Sequence, residues 1–208
     1  AFAERAESNR TAVVPIVPNR GQILDRNGVV LATNYSAYTL EITRAKVNGL
    51  EETIDELSEI IEITPRDRRK FKRLMDDSKS FESIPLRSRL SDEEVAKFTA
   101  QRYRFPGVDI KARLFRTYPL KETGSHLIGY IGRINQKEKE EIDDSEDAAN
   151  YRGTEVIGKL GAEKSYERQL HGQTGWEEME TSAGGHAVRR LGSRPATPGL
   201  SLQLSVDI

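Results

Sequence analysis

The groups in this chain that could do covalent chemistry are not arranged as catalysis requires. No serine has a lysine three residues later, so the Ser-x-x-Lys pair of penicilloyl serine enzymes is absent. Ser-x-Asn, Lys-Thr-Gly and Lys-Ser-Gly do not occur, nor does a Gly-x-Ser-x-Gly elbow or a Walker loop. The histidines are His126, His171 and His186, and no two stand at the i, i+4 spacing that puts two metal ligands on one helix face. There is no cysteine, which removes thiolate ligands and disulfides. Carboxylates are abundant, yet no spacing singles out a glycosidase-like dyad. Gly129/Gly132 and Gly158/Gly161 lack the strand-to-helix spacing of a dinucleotide fingerprint and read as points of close backbone approach or positive φ. No catalytic residue, metal site or cofactor is therefore expected. His126, beside Leu127 and Ile128, is expected to be a partly buried hydrogen-bonding histidine.

The composition limits the partners. A net charge of −1 lacks the basic excess of a nucleic-acid binder. Two charge runs stand out: a basic one at Arg66, Arg68, Arg69, Lys70, Lys72 and Arg73, and an acidic one from Glu138 to Asp147. Both are expected to be solvated faces, with steering of a protein partner as the sharper reading. With 31% charged residues and a mean hydropathy of −0.63, the chain is expected to be extended or two-lobed. No apolar stretch is long enough to span a bilayer, and no signal peptide is visible. The chain starts at Ala1 without a methionine, so it reads as an excised piece whose membrane anchor would lie upstream.

The elements follow from periodicity. Thr11 to Val17 reads as an edge strand because Pro15 interrupts it. Asn27-Gly28 between two apolar runs predicts a hairpin, and Tyr38, Leu40 and Ile42 alternate as a third strand. Leu50, Ile54, Leu57 and Ile61 recur at helical spacing. Thr64-Pro65 starts a second helix, and Ser91 with Glu94 makes a capping box for a third. Val108, Ile110, Ala112 and Leu114 return to strand alternation. The segment 137–150 is expected to begin a helix and dissolve into a loop. Leu160 to Leu170 reads as one helix ended by Gly172, Gly184-Gly185 as a second hairpin turn, and Leu200 to Ile208 as a strand. The expected fold is α+β: an elongated two-lobed molecule, with a strand-rich anchor lobe (residues 1–48 and 107–208) and an inserted helical head lobe (49–106).

Three separated motifs carry a resemblance. The first is Arg20-Gly21-x-Ile23-x-Asp25-Arg26-Asn27-Gly28-x-x-Leu31-Ala32. The second is Arg116-x-Tyr118-Pro119 with His126-Leu127-Ile128-Gly129-Tyr130-Ile131-Gly132. The third is Gly158-Lys159-x-Gly161-x-Glu163-x-x-Tyr166-Glu167-x-x-Leu170-x-Gly172-x-x-Gly175. In this order, over most of the chain, they resemble the N-terminal pedestal, or dimerisation, module of class B penicillin-binding proteins. Ile157 to Gly161, leading to Leu170-His171-Gly172-Gln173-Thr174-Gly175 and Glu177-Glu178, is most similar to the penicillin-binding protein 2 branch of the rod-elongation machinery. The division-type branch resembles it less. Lys121 stands where family members commonly have glycine two residues after Tyr-Pro, so the resemblance does not carry a glycine turn to that point.

The resemblance implies a non-catalytic pedestal of a peptidoglycan D,D-transpeptidase at the periplasmic face of the bacterial inner membrane. The catalytic domain would follow Ile208. It implies contacts with the protein's own transpeptidase domain, with a scaffold like MreC and with a glycosyltransferase like RodA. Arginine can bond a carboxylate in bidentate fashion, so Arg20 and Arg116 are expected to clamp Glu163, while Asp25 serves its own hairpin. Phe71, Leu74, Phe81 and Phe98 of the head lobe are the expected partner surface, since so small a unit should bury them incompletely. A peptidoglycan-binding module and a free-standing hydrolase are the rival readings. Trp176, the only tryptophan, sits in a strand alternation that favours packing over sugar stacking.

Overall fold

In a computed structural model the structure describes residues 10–78, 82–181 and 187–208. The chain divides into two compact units, Ala1–Asn34 with Arg116–Ile208, and Tyr35–Phe115. Helices and strands alternate in an α+β fold.

The first unit opens with β1 (Arg10–Ile16) and β2 (Ile23–Leu24), followed by the start of β3 (Val30–Thr43). β2 and β3 form the Asn27-Gly28 hairpin, with Gly28 at φ 81°. The Asp25 side chain accepts from the N–H groups of Asn27 (2.8 Å) and Val29 (2.9 Å), which fixes the turn.

The second unit takes the rest of β3, then α1 (Leu50–Ser58), α2 (Pro65–Asp76), β4 (Ser83–Leu90), α3 (Asp92–Ala100) and most of β5 (Val108–Thr117). β3 pairs with both β4 and β5, and the helices cover this sheet. Capping boxes start two helices: Thr64 with Asp67 opens α2, and Ser91 with Glu94 opens α3. Leu40 and Ile42 of β3 pack with Leu57, Phe71, Leu86, Phe98 and Phe105. On the opposite face of β3, buried Glu41 takes two hydrogen bonds from Arg113, at 2.6 and 2.7 Å.

Three expectations change here. The unit runs from 35 to 115 rather than 49 to 106, because the helices need the sheet as their apolar floor and do not form a lobe alone. Tyr38 is exposed while Leu40 is buried, because an irregularity in the β3–β4 ladder between them breaks the alternation. Phe71 and Phe98 are core residues, 3% and 0% exposed, and Leu74 is half-buried against the same core, so they form no open partner surface. Phe81 lies outside the described residues.

Back in the first unit come α4 (Ser125–Ile128), β6 (Ile131–Arg133), α5 (Gln136–Asp143) and a 3-10 turn, Ala148–Tyr151. The segment 137–150 is thus mostly helical, because Asn135 and Glu138 cap α5 reciprocally. β7 (Val156–Gly158) pairs with β6. The expected single helix is two, α6 (Gly161–Ser165) and α7 (Glu167–His171), joined at Tyr166. β8 (Gly175–Thr181) lies between β1 and β9 (Ala187–Arg194), which makes β1 an edge strand that tolerates Pro15. The Gly184-Gly185 turn lies outside the described residues. β10 (Leu202–Gln203) pairs in parallel with β2, so only a short part of the 200–208 alternation is strand.

Phe98 fills the centre of the second unit's core. Its truncation, Phe98→Ala, is expected to cost about 3–5 kcal/mol in urea unfolding. A loss below about 1 kcal/mol would show that the core collapses around the gap.

Candidate functional site

The three motifs meet at one carboxylate. Glu163, on α6, is fully buried. Arg116 at the end of β5 binds it side-on, Nε to Oε2 at 3.1 Å and Nη2 to Oε1 at 2.7 Å. Arg20, before β2, adds Nε to Oε1 at 3.3 Å and Nη2 to the Glu163 carbonyl at 2.9 Å. The Tyr118 hydroxyl donates to Oε2 at 2.8 Å and accepts from the Ile131 N–H at 3.1 Å. The remaining donors are also used. Arg116 Nη1 reaches the Gly21 carbonyl (2.8 Å) and Asn34 Oδ1 (3.1 Å), and Asn34 Nδ2 donates to the Arg20 carbonyl (2.7 Å). Arg20 Nη1 bonds Glu167 Oε2 at 2.5 Å, and Glu167 Oε1 accepts from the Gly158 N–H at 3.2 Å. Two arginines thus face two glutamates in a neutral, hydrogen-bonded group.

The electrostatics match this geometry. Burial disfavours the Arg20 cation, but Glu167 and Glu163 outweigh it and hold its pKa above the ordinary value. Burial, reinforced by Glu163, pushes the Tyr118 hydroxyl up. Burial also raises Glu167, against the opposing pull of Arg20. Both carboxylate oxygens of Glu163 are taken by donors from other segments, the arrangement of a structural clamp.

Glycines let α6 reach its place. A Cβ on Gly158 would lie 2.0 Å from the Glu163 carbonyl oxygen, and one on Gly129 1.8 Å from that of Leu160. Leu170 is buried beside Ile23 and Leu31, and Gly172 ends α7 at φ 82°. The Tyr118-Pro119 turn closes with the Lys121 N–H donating to the Tyr118 carbonyl at 2.8 Å, and Lys121 itself sits at φ 52°. The conformation suited to glycine is thus present at this point with a lysine in it, at a cost of about 1–3 kcal/mol.

A second node went unrecognised in the sequence. His171 is buried and stacks on Tyr151, with ring centres 4.2 Å apart. Its Nδ1 lies 3.1 Å from the Gly172 carbonyl and its Nε2 2.8 Å from Thr154 Oγ1, which assigns the neutral ring with the proton on Nδ1. Asn150 ties this node to the strand that follows, donating to the Gly172 carbonyl (2.9 Å) and accepting from the Thr174 N–H (2.7 Å). Burial lowers the His171 pKa. No spacing signal flags it, because the partners come together only through the α7–β8 connection. Glu167 was more accessible, since it stands four residues after Glu163.

The other motif residues have separate places. His126 is exposed rather than partly buried, because the short α4 turns it to solvent while Ile128 faces the core. Arg26 and Asn27 reach Asp207 at 3.3 and 2.9 Å. Asp25, though burial disfavours its charge, is held below the usual carboxylate range by the N–H groups of Val29 and Asn27. Gly132 lies in β6 against Lys159, Gly175 starts β8 close to the Arg194 carbonyl, and Pro119 is exposed in its turn. Among the described residues no cluster of His, Cys, Asp or Glu could hold a metal ion.

Glu163→Gln, which leaves the buried Arg116 guanidinium without a charge partner while Arg20 keeps Glu167, is expected to cost about 3–5 kcal/mol of stability, and Tyr118→Phe about 1 kcal/mol. A melting temperature unchanged in Glu163→Gln would refute the central role of this carboxylate. The folded His171 pKa lies below the unfolded value of about 6.5, so its contribution to stability is present above that pH and is lost as pH falls through the folded pKa. Acid unfolding should therefore be shallower below about pH 6.5 in His171→Gln than in the parent chain. The difference between the two curves separates His171 from Glu167, whose raised pKa acts in the opposite sense.

Comparison with known proteins identifies the relatives of the chain. The family model "Penicillin-binding Protein dimerisation domain" matches residues 15–204. The peptidoglycan D,D-transpeptidase MrdA of Escherichia coli (strain K12) is 40% identical over 207 residues, covering 100% of this chain and 33% of that protein. The MrdA protein of Acinetobacter baumannii is 40% identical over 206 residues, covering 99% and 30%. The solved complex between Penicillin-Binding Protein (PBP2) and MreC from Helicobacter pylori superposes with a TM-score of 0.67 and 25% identity, over 96% of this chain and 36% of that one. The chain spans about a third of the length of the curated relatives it matches. With its three motifs closed on one buried carboxylate and the family match running through all of them, the chain belongs to the penicillin-binding protein dimerisation domain family.

Proposed function

We propose that this chain is the non-catalytic pedestal of a peptidoglycan D,D-transpeptidase of the MrdA type, acting in cell-wall elongation and maintenance of cell shape. The observation that carries this reading is the 40% identity to MrdA along the whole chain. Cross-linking chemistry would belong to the remaining two thirds of such a protein. A membrane anchor on the parent protein would hold the module at the periplasmic face of the inner membrane.

Its partners in this reading are a scaffold protein like MreC, a glycosyltransferase like RodA and the transpeptidase domain of the same protein. The MreC part draws on the solved complex to which the chain is similar. We place the contact on the unit Tyr35–Phe115. Its apolar side chains Phe71 and Phe98 are committed to the core, and the exposed face of α2 offers charge as a means of recognition. On α2 the exposed Arg66, Arg69, Lys70, Lys72 and Arg73 make no ion pair among the described residues, so this face suits an acidic partner surface.

Calorimetry with the periplasmic part of an MreC-like protein from the same organism tests the scaffold role. Saturable binding is expected, weakened by Arg69→Glu with Arg73→Glu and by added salt. A chain that is folded by circular dichroism but gives no heat of binding would overturn it. Labelled penicillin should leave the chain unmodified, and acylation would refute the non-catalytic reading.

A further inference from the structure

A cavity of about 170 Å³ opens in the first unit beside the sheet β1-β8-β9. Strand register builds one wall. Pro15 on β1 stands opposite Trp176 on β8, and Trp176 stands opposite Arg194 on β9, so the three side chains form a row across the sheet. Val13, two residues before Pro15, continues the same face. The facing wall is the 3-10 turn with the residue after it, which contribute Ala149 and Arg152. This wall is held in place. Asn150, between them, is bonded to Gly172 and Thr174, and Tyr151 is stacked on His171.

The lining carries two guanidiniums and no carboxylate. Arg194 uses Nη2 on the Thr174 carbonyl at 3.2 Å. Arg152 is exposed and makes no ion pair or hydrogen bond among the described residues. Neighbouring acids are engaged elsewhere: Glu177 with Arg190 at 3.4 Å and Asp147 with Arg168 at 2.9 Å. Glu178, opposite Val13, is the next acid along this face and lies outside the lining. Trp176, 36% exposed, offers an aromatic surface beside the two cations. Guanidinium forks select planar carboxylates, and an aromatic wall selects a ring or an apolar flank. The volume is below the roughly 300–1,000 Å³ of drug-sized pockets, so it admits one ring or one to two residues.

We infer that this cavity binds a small carboxylate with an apolar or ring-shaped flank, anchored by Arg152 and Arg194 against Trp176. Either the C-terminal carboxylate of a short peptide or a sugar acid supplies that chemistry. The site is independent of scaffold binding, since it lies in the other unit and its test uses this chain alone.

Trp176 is the only tryptophan, so intrinsic fluorescence reports occupancy of the cavity directly. The chain is titrated with N-acetyl-alanyl-alanine, with its C-terminal amide and with N-acetylmuramic acid. The Trp176 indole and Gly175 amide resonances are followed in parallel by ¹H–¹⁵N correlation. At least one carboxylate should saturate a readout, the amide should bind about tenfold more weakly or not at all, and Arg152→Gln should weaken the acid by about tenfold. Binding of the dipeptide alone assigns a peptide terminus, and binding of the sugar alone assigns a sugar acid. Three outcomes would overturn the site: neither acid saturating either readout, the amide binding as tightly as the acid, or Arg152→Gln binding like the parent chain.

Discussion

A carboxylate with no access to water is the constraint on which the anchor unit rests. Removing Glu163 from solvent costs several kcal/mol, and only close opposite charge with full hydrogen bonding offsets it. Its four side-chain bonds come from Arg20, Arg116 and Tyr118, so the segment before β2 and the end of β5 with the turn that follows must converge on α6 before the charge is tolerated. Arg20 is 143 residues from Glu163 in sequence, so the clamp closes only once distant parts of the chain have met. A second arginine on one glutamate would leave excess positive charge. Glu167, at the start of α7, restores neutrality and accepts the spare Arg20 donor.

The glycine-rich motifs and the charged motifs are one device. Glu163 can reach its partners only if α6 lies directly on the α4 turn and on β7, and a side chain at Gly129 or Gly158 would collide with backbone there. Such contacts admit no compensating rotamer change, because the obstructing atoms are carbonyl oxygens of the main chain. Hence the glycines of the second and third motifs beside Glu163: the glycines set the distance and the glutamate locks it.

What was legible in the sequence was mainly local. The Asn27-Gly28 hairpin and the Thr64 and Ser91 helix starts are decided within a few residues, where turn and cap chemistry acts. The family motifs pointed to Arg20, Arg116 and Glu163, and the structure brings these three together. Features that depend on register or on distant segments were not legible. The irregularity that exposes Tyr38, the Glu41–Arg113 pair, the bonds of Asn34 and the His171–Asn150–Thr174 node all need strands and loops placed by the rest of the fold. Phe71 and Phe98 were assigned to a partner surface because a helical lobe alone would bury them poorly. A sheet drawn from residues outside the expected boundaries completes that core.

Saturation of polar groups separates the parts of this molecule that hold shape from those able to recognise something else. At Glu163 both carboxylate oxygens and both arginine forks are occupied, so a ligand could bind there only by breaking bonds that keep a charge buried. The cations of α2, and Arg152 with Arg194, are different. They are exposed, keep most of their donors for water, and lose little by exchanging that water for a partner's oxygen atoms. Selectivity for a partner can then come from such unsaturated charges held on rigid walls. At the cavity that wall is the 3-10 turn, held by the bonds of Asn150 and by Tyr151 stacked on His171, while the bonds of the Glu163 node are spent within the chain.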